Sequence, residues 1–227
     1  MIKIYKCSIC VGENSDFIKY GKTSRGKQRY QCKSCKTINI LDYTYNAYEK
    51  DINQKIILLT KEGLGIRSTA RILKISATTV LKRILTIANK IIRPTIKFYQ
   101  TYELDEMRIF VRKKANPMWL VYAINKQSKE VAGFYIGKRN NKTLNSVVKI
   151  LINAKPERIF TDKLRNYKYL IPKEIHSTQK YGTNGIERKN LNLRTHLKRL
   201  NRKTICFSKN ILFLISVLKI YFWNEVY

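Results

Sequence analysis

Two cysteine pairs near the N-terminus constrain the fold of this chain more than any other feature. Two residues separate Cys7 from Cys10, two separate Cys32 from Cys35, and residues 11–31 lie between the pairs. Two such pairs can supply the four thiolates of a tetrahedral Zn²⁺ site. A segment this short cannot build a sufficient core, so the metal would supply folding energy. We therefore predict a structural Zn²⁺ in a zinc-ribbon-like module over residues 1–42. Two redox dithiols are the alternative.

The segment between the cysteine pairs is predicted to form a hairpin. Gly21 and Gly26 suit turns, and Arg25, Lys27 and Arg29 alternate along the chain, which would give the hairpin one basic face. That face could contact phosphates or could be a solvated edge, and the sequence leaves both open.

The charge of the chain indicates a polyanionic partner. Its 227 residues include 46 Lys and Arg against 15 Asp and Glu, a formal net charge of +31. Such a body attracts nucleic acid, with an anionic membrane surface as the second candidate. The longest apolar run, residues 211–218, is too short to span a bilayer, and no apolar leader is seen. We expect a cytoplasmic protein, associated with the nucleoid in a prokaryotic host.

Residues 48–92 are predicted to form an all-α helix-turn-helix domain. Apolar residues recur at helical spacing over about 49–61, 66–73 and 77–90, and Ser76 is a suitable N-cap for the last helix. Thr78, Thr79, Lys82 and Arg83 would be exposed on that helix and could face a major groove. An ordinary three-helix packing unit is the alternative.

Residues 95–227 are predicted to form an α/β domain with a mixed sheet flanked by helices. Strands are expected at about 102–113, 118–125 and 130–137, with a fourth at Arg158–Phe160. Helices are expected at about 142–153, 163–170, 183–200 and 208–223.

Acidic residues are scarce in this domain and fall at informative places. Asp105 shares a face of the first strand with Glu103, whereas Glu106 points to the other side, and Asp162 follows the fourth strand. If the two strands are neighbours, Asp105 and Asp162 approach each other and favour a divalent cation. A lone Asp after a strand usually caps a turn, and a lone Glu on a helix, such as Glu187, is usually solvated.

The stretches "ELDEM", "MWLVYAIN", "FTD" and "GIERKNLNLRTHLKRLNRKTICFSKN" resemble the transposases of the insertion sequence 1 family. That resemblance implies a zinc finger and a helix-turn-helix followed by an RNase H-like catalytic domain with an Asp-Asp-Glu triad. By motif the triad falls on Asp105, Asp162 and Glu187, which would be catalytic and would bind Mg²⁺ or Mn²⁺. Arg194, seven residues after Glu187 and on the same helix face, would bind a phosphate.

We therefore expect a DNA transposase that binds terminal inverted repeats and catalyses Mg²⁺-dependent phosphodiester hydrolysis and strand transfer. Its partners would be double-stranded DNA and further copies of the chain, in a homodimer or larger assembly. The alternatives are a catalytically inactive DNA-binding regulator and an RNA-processing nuclease. The residues expected to contact DNA are Arg25, Lys27, Arg29, Arg67, Thr78, Thr79, Lys82, Arg83, Arg188, Arg194, Lys198, Arg202 and Lys203.

Three further residues are expected to serve the fold. His176 and His196, the two histidines of the chain, are expected to be structural or to contact phosphate. Cys206 is expected to be a small core residue rather than a metal ligand.

Overall fold

The structure is a computed structural model that describes residues 7, 9, 10, 16–24, 26–40 and 45–224. The chain divides into two units, Met1–Asn46 and Ala47–Tyr227.

The first unit contains a three-stranded antiparallel sheet in the order β1-β2-β3. Its strands are β1 (Phe17–Lys22), β2 (Gln28–Cys32) and β3 (Ile38–Asn39). Gly26 has a φ of 78° in the turn between β1 and β2, a conformation that glycine adopts without strain. The predicted hairpin between the cysteine pairs is confirmed.

The second unit begins with three helices, α1 (Ile52–Lys61), α2 (Ile66–Ile72) and α3 (Ala77–Lys90). Ile56, Val80 and Ile84 are buried between them. The Ser76 side chain accepts a hydrogen bond from the Thr79 backbone N–H at 3.0 Å, so the predicted N-cap is confirmed. The bounds of α2 and α3 agree with the sequence prediction to within one residue.

A mixed five-stranded sheet forms the centre of the second unit. β4 (Thr101–Val111), β5 (Lys113–Asn125) and β6 (Val131–Gly137) pair antiparallel. β7 (Arg158–Phe160) pairs parallel to β4, and β8 (His176–Ser177) pairs parallel to β7. The strand order is β6-β5-β4-β7-β8, which confirms the predicted mixed sheet.

Helices cover both faces of this sheet. They are α4 (Asn141–Ile152), α5 (Tyr167–Leu170), α6 (Asn184–His196) and α7 (Ile211–Trp223). The core on the α4 face is made by Tyr102, Leu104, Val121, Ala123, Ala132, Leu144, Val147, Val148, Leu151, Ile159, Tyr167 and Ile171. On the α7 side, the Phe222 ring stacks on Tyr122 with centroids 5.9 Å apart. Within the described part of the chain, every helix is too short or too polar to cross a membrane.

Helix α7 also packs against α1 and α3, so the helix-turn-helix and the sheet belong to one unit. The Lys61 ammonium donates to the Asn224 carbonyl at 2.7 Å. Gly63, which follows α1 with a φ of 76°, lies directly against the backbone of His196 at the end of α6. These contacts fix α3 relative to the sheet.

The register of the two parallel strands β4 and β7 leaves most of β4 unpaired with β7. Pairing between β4 and β7 runs from Thr101↔Arg158 to Glu103↔Phe160 and stops there, whereas β4 continues to Val111. The edge of β4 beyond Glu103 is therefore not covered by β7, and Asp162 follows where β7 ends.

Candidate active site

Three carboxylates gather at the point where β7 ends beside β4. Asp105, Glu106 and Asp162 each offer an oxygen within 4.8 Å of the others. The parallel pairing of β4 with β7 brings Asp162 to Asp105, as the sequence predicted. Glu106 also belongs to the group, although strand alternation assigned it to the opposite face. Like charges this close repel each other unless a proton or a cation lies between them.

Asp105 is the acid whose charge the fold disfavours most. Its carboxylate accepts hydrogen bonds of 2.7 Å from the Asn190 side chain and from the Glu106 backbone N–H. Burial is the largest effect and raises the pKa of Asp105 to about 7, and the neighbouring Glu106 and Asp162 add to the rise. A divalent cation at this position would relieve that cost.

Asp162 is exposed and lies in the turn that follows β7. Its Oδ1 accepts a hydrogen bond from the Leu164 backbone N–H at 3.0 Å. The residue therefore caps a turn and also faces Asp105, so the structural and the metal-binding interpretations are compatible.

Glu106 forms an ion pair with Arg139 within the fold. It is buried, and its Oε1 accepts hydrogen bonds of 3.0 and 2.7 Å from the Arg139 guanidinium. Its Oε2 accepts a hydrogen bond of 2.8 Å from the Tyr167 hydroxyl. Sequence reasoning missed this contact network, because nothing in the local pattern brings Arg139 and Tyr167 to Glu106.

One face of α6 is directed at the acids. Asn190 bridges two groups, donating to Asp105 and accepting a hydrogen bond of 2.8 Å from the Tyr122 hydroxyl. Glu187 lies three residues before Asn190 and Arg194 four residues after it, and residues at this spacing are neighbours on a helix surface. Glu187 is exposed, accepts a hydrogen bond from the Thr183 hydroxyl at 2.9 Å and lies outside the group of three carboxylates.

The start of α6 is anchored by a fourth acid, Glu103. This buried carboxylate accepts hydrogen bonds from the Ile186 backbone N–H at 2.7 Å and from the Lys129 ammonium at 3.1 Å. Gly185 passes so close that a β-carbon there would overlap both the carboxylate and the ammonium. Glu103 therefore positions the helix that carries Glu187.

The four N-terminal cysteines form a second candidate metal site. The Cys7 and Cys35 sulfurs are 3.6 Å apart and the Cys10 and Cys32 sulfurs 3.9 Å apart. Four sulfurs about 2.3 Å from one Zn²⁺ would be separated by about 3.8 Å in a tetrahedron. Hydrogen bonding with the Thr37 side chain is the largest of the effects that lower the pKa of Cys35 to about 6, which favours the thiolate. All four residues fit the predicted zinc site.

Most of the residues expected to contact DNA are on the surface. Arg25 lies outside the described residues. Four of the others are partly buried and make internal contacts, and among these Arg83 donates to the Ala47 carbonyl at 3.0 Å and Arg194 to the Leu200 carbonyl at 3.2 Å. The four partly buried residues are Arg29, Thr79, Arg83 and Arg194. The exposed ones are Lys27, Arg67, Thr78, Lys82, Arg188, Lys198, Arg202 and Lys203.

The histidines and the fifth cysteine lie apart from both candidate metal sites. His176 Nε2 is 2.8 Å from the Thr161 hydroxyl, and His196 Nδ1 is 2.8 Å from the Tyr221 hydroxyl. Both therefore make structural hydrogen bonds. Cys206 is exposed, so the expectation that it packs in the core was wrong, because it lies in the loop before α7.

Comparison with known families gives two matches that together cover most of the chain. A family described as IS1 transposase matches residues 99–227. A family described as InsA C-terminal domain matches residues 43–87.

Individual relatives match about half of the chain. The insertion element iso-IS1n protein InsB of Shigella dysenteriae is 40% identical over 109 residues, which are 48% of this chain and 83% of that protein. The insertion element IS1 2 protein InsB of Escherichia coli (strain K12) is 36% identical over 109 residues, 48% of this chain and 65% of that protein.

Among solved structures, the chain is similar to one chain of a cryoEM structure of the simian T-cell lymphotropic virus intasome in complex with PP2A regulatory subunit B56 gamma. The TM-score is 0.42 at 15% identity, covering 76% of this chain and 70% of that chain. At that level the similarity supports no inference about function.

Proposed function

The chain belongs to the IS1 transposase family, and we propose that it is a DNA transposase acting on the terminal inverted repeats of an insertion element. The observation that carries this proposal is the gathering of Asp105 and Asp162, with Glu187 on the adjacent helix face. A protein of net charge +31 has little reason to gather carboxylates at one strand end unless they bind cations. A site where metal ions meet a bound polyanion gives such a reason.

Asp105, Asp162 and Glu187 are the proposed ligands of Mg²⁺ or Mn²⁺. Carboxylate oxygens are the ligands these ions prefer, and the acids suit them because burial and two neighbouring carboxylates raise the pKa of Asp105 to about 7. Divalent ions bound there would supply Lewis acidity that activates the attacking oxygen and stabilises the leaving oxygen of a phosphodiester. Glu106 is held by Arg139 and Tyr167, so its proposed role is to fix the shape of the site.

The residues around the acids would orient the DNA strand. Asn190 holds the Asp105 carboxylate, and Tyr122 holds Asn190, so the position of Asp105 is set before substrate arrives. Arg194, on the same face of α6, would contact a phosphate beside the reacting one.

The reaction we propose has two steps at the same site. Water attacks the phosphodiester at the element end, and the 3′-oxygen leaves as a free 3′-OH. That hydroxyl then attacks a target phosphodiester in line and displaces a new 3′-OH, which joins element to target. Joining two ends calls for two active sites, so a homodimer or larger assembly on DNA is part of the proposal.

The N-terminal parts would select the DNA. The exposed face of α3, with Thr78 and Lys82, suits the major groove, and the cysteine module adds basic residues for phosphates. The helix-turn-helix favours duplex DNA over RNA. A purely regulatory protein would use these parts but would not require the acids.

The test is cleavage and joining of labelled duplexes that carry candidate element ends, with and without Mg²⁺. The wild-type protein is compared with Asp162→Asn and with Glu174→Gln, which changes an exposed acid away from the site. We expect Mg²⁺-dependent nicking and joining that Asp162→Asn abolishes while DNA binding persists. Cleavage that survives Asp162→Asn would overturn the assignment of the acids. Binding without cleavage by the wild-type protein would favour the regulator.

A further inference from the structure

A cavity of about 410 Å³ lies between β4, β5, α6 and the segment that follows α6, next to the acids. It is lined by Glu106, Arg108, Phe110, Trp119, Arg194 and Arg202. Glu106 belongs to both the acid group and the cavity wall, so the two sites adjoin. The volume falls within the range of about 300–1,000 Å³ that small-molecule sites occupy.

The fold brings these side chains together from four segments. Glu106, Arg108 and Phe110 alternate along β4 and share one of its faces, and Trp119 on β5 is paired with Arg108. Arg194 comes from α6 and Arg202 from the segment that follows it. The hydrogen bond from Arg194 to the Leu200 carbonyl ties that segment to α6.

The Trp119 ring is held in place by a charged network. The Arg139 guanidinium lies over it, 4.5 Å from the ring centroid, and is itself fixed by two hydrogen bonds to the buried Glu106. Arg108 lies over the Phe110 ring in the same way, at 5.4 Å. Two partly exposed aromatic rings are thus positioned and flanked by cations.

A ligand for this cavity must be both aromatic and anionic. Arg108 and Arg202 have no hydrogen-bond partner within the described ranges, and both are exposed. A nucleotide unit combines a planar base with a phosphate, and stacking on aromatic side chains tolerates any base. Bases inside a duplex have both faces covered by their neighbours, so only an unpaired base can use such rings.

We propose that the cavity binds an unpaired nucleotide of the DNA strand whose phosphodiester lies at the acids. Its base stacks on Trp119 and Phe110, and its phosphate contacts Arg194 and Arg202. This inference rests on the proposed function for the identity of the strand. It extends that function by naming a site for the nucleotide next to the reacting phosphate and by implying that the duplex opens there.

The test compares binding of the full chain to three fluorescent duplexes at one salt concentration without Mg²⁺, where cleavage does not occur. One duplex is blunt, one ends in a short single-stranded overhang, and one carries the same overhang with abasic units. We expect about tenfold tighter binding to the overhang than to the blunt end, the contribution typical of one stacked base. The abasic overhang should lose that gain.

Two variants at Trp119, a third variant held in reserve and one direct signal make the test specific. Trp119→Leu should bind all three duplexes equally, whereas Trp119→Phe, which keeps a ring, should retain most of the preference. Unfolding curves show whether Trp119→Leu folds, and if it does not, Arg202→Gln at the exposed rim replaces it and should reduce the gain. With 2-aminopurine in the overhang, the wild-type protein should quench its fluorescence by stacking.

Four results would overturn the proposal. Three concern the duplexes: equal affinity for blunt and overhanging duplexes, an undiminished gain with the abasic overhang, and a preference that survives in folded Trp119→Leu. The fourth is full competition by a free nucleoside monophosphate, which would indicate a mononucleotide site instead of a strand site. Cleavage assays on the same duplexes separate the two hypotheses. Overhang preference without cleavage contradicts the transposase function alone, and cleavage without overhang preference contradicts the cavity alone.

Discussion

Asp105 and Glu106 are adjacent in sequence, yet the fold treats their charges in opposite ways. Glu106 has a guanidinium and a phenolic hydroxyl as partners. Among the described residues, the hydrogen-bond donors to Asp105 are neutral, the Asn190 amide and a backbone N–H, and two carboxylates lie beside it. Within the described chain, Asp105 is therefore the partly buried acid without a hydrogen-bonded cation, and a bound metal ion would stabilise its charged form most.

Asp105→Asn should stabilise the protein at high pH in Mg²⁺-free buffer. The pKa of Asp105 is raised to about 7 by burial, so between about pH 4 and 7 the folded protein keeps a proton that the unfolded chain releases. Stability then falls as pH rises through that range, and the variant escapes this loss. We expect the variant to be more stable by roughly 1–3 kcal/mol at pH 8 and equally stable at pH 4, measured by urea unfolding.

Glu174→Gln controls for the change in net charge and should show no such pH-dependent difference. Added Mg²⁺ should stabilise the wild-type protein at pH 8 more than Asp105→Asn. A difference between variant and wild type that stays constant from pH 4 to 8 would contradict the environment assigned to Asp105.

Glu106→Gln and Glu187→Gln should separate a structural acid from a catalytic one. Glu106→Gln weakens a buried, charge-assisted contact to Arg139 and should cost roughly 1–3 kcal/mol of unfolding free energy. Glu187→Gln alters an exposed side chain and should change stability by less than about 0.5 kcal/mol while abolishing cleavage. Urea unfolding and the duplex cleavage assay give the two quantities. Retained cleavage in Glu187→Gln would contradict the proposal that Glu187 is a catalytic residue.

Single residues could be placed from sequence where a strand end determined their position. Asp162 follows a short apolar strand, and its proximity to Asp105 was predicted from the neighbouring positions of the two strands. Glu106 could not be placed, because the alternation of side chains along a strand assigns each one to a face of the sheet. It does not show how far a long side chain extends from that face. Its partners Arg139 and Tyr167 lie 33 and 61 residues along the chain, beyond any local pattern.

At the scale of elements, segments with a periodic or apolar pattern were predicted, and segments without one were not. The three helices and the strand Arg158–Phe160 were found, but β8 has two residues and carries no periodic signal. Residues 114–117 were expected to connect two strands, although the chain turns at Arg112 and β5 begins at Lys113. Pro117 is tolerated there because the pairing of β5 with β6 begins only at Trp119.

Gly63→Ala should disrupt the contact between the helix-turn-helix and the end of α6. Gly63 has a φ of 76°, and a β-carbon there would overlap the carbonyl of His196, so backbone must move. We expect a loss of at least about 2 kcal/mol of unfolding free energy. Gly65→Ala is the matched control, since no atom lies within 4 Å of its added carbon, and as the loss of a glycine N-cap of α2 it should cost less than about 1 kcal/mol. Equal losses in the two variants would show that the contact is not tight in solution.

Lys82→Ala and Arg83→Ala should differ although the two residues are adjacent on α3. Lys82 is exposed, and its loss should weaken binding to all DNA sequences. The slope of log affinity against log salt concentration should become shallower by about 1. Arg83 donates to the Ala47 carbonyl, so its loss should lower stability by about 1 kcal/mol. Fluorescence anisotropy over a salt series and urea unfolding measure these effects. An unchanged salt dependence of DNA binding in Lys82→Ala would contradict the proposal that α3 contacts DNA.

At the scale of the whole molecule, a small first unit must obtain its stability differently from the second. The second unit buries an extensive apolar core around its sheet, whereas the described buried side chains of the first unit are Cys7 and Cys32, two of the four clustered cysteines. Short strands with so little apolar burial cannot offset the entropy of folding. A bound metal supplies that free energy where a core does not.

Removal of the metal should therefore unfold the first unit and leave the second intact. Cys7→Ser breaks the four-sulfur cluster, and we expect backbone amides of β2, such as Tyr30 and Gln31, to lose their protection from hydrogen exchange while those of β4 keep theirs. Cys206→Ser is the matched control, because this exposed cysteine lies outside the cluster and its loss should leave metal content and exchange unchanged. Protected β2 amides in metal-free Cys7→Ser would show that the sheet, and not the metal, holds the unit together.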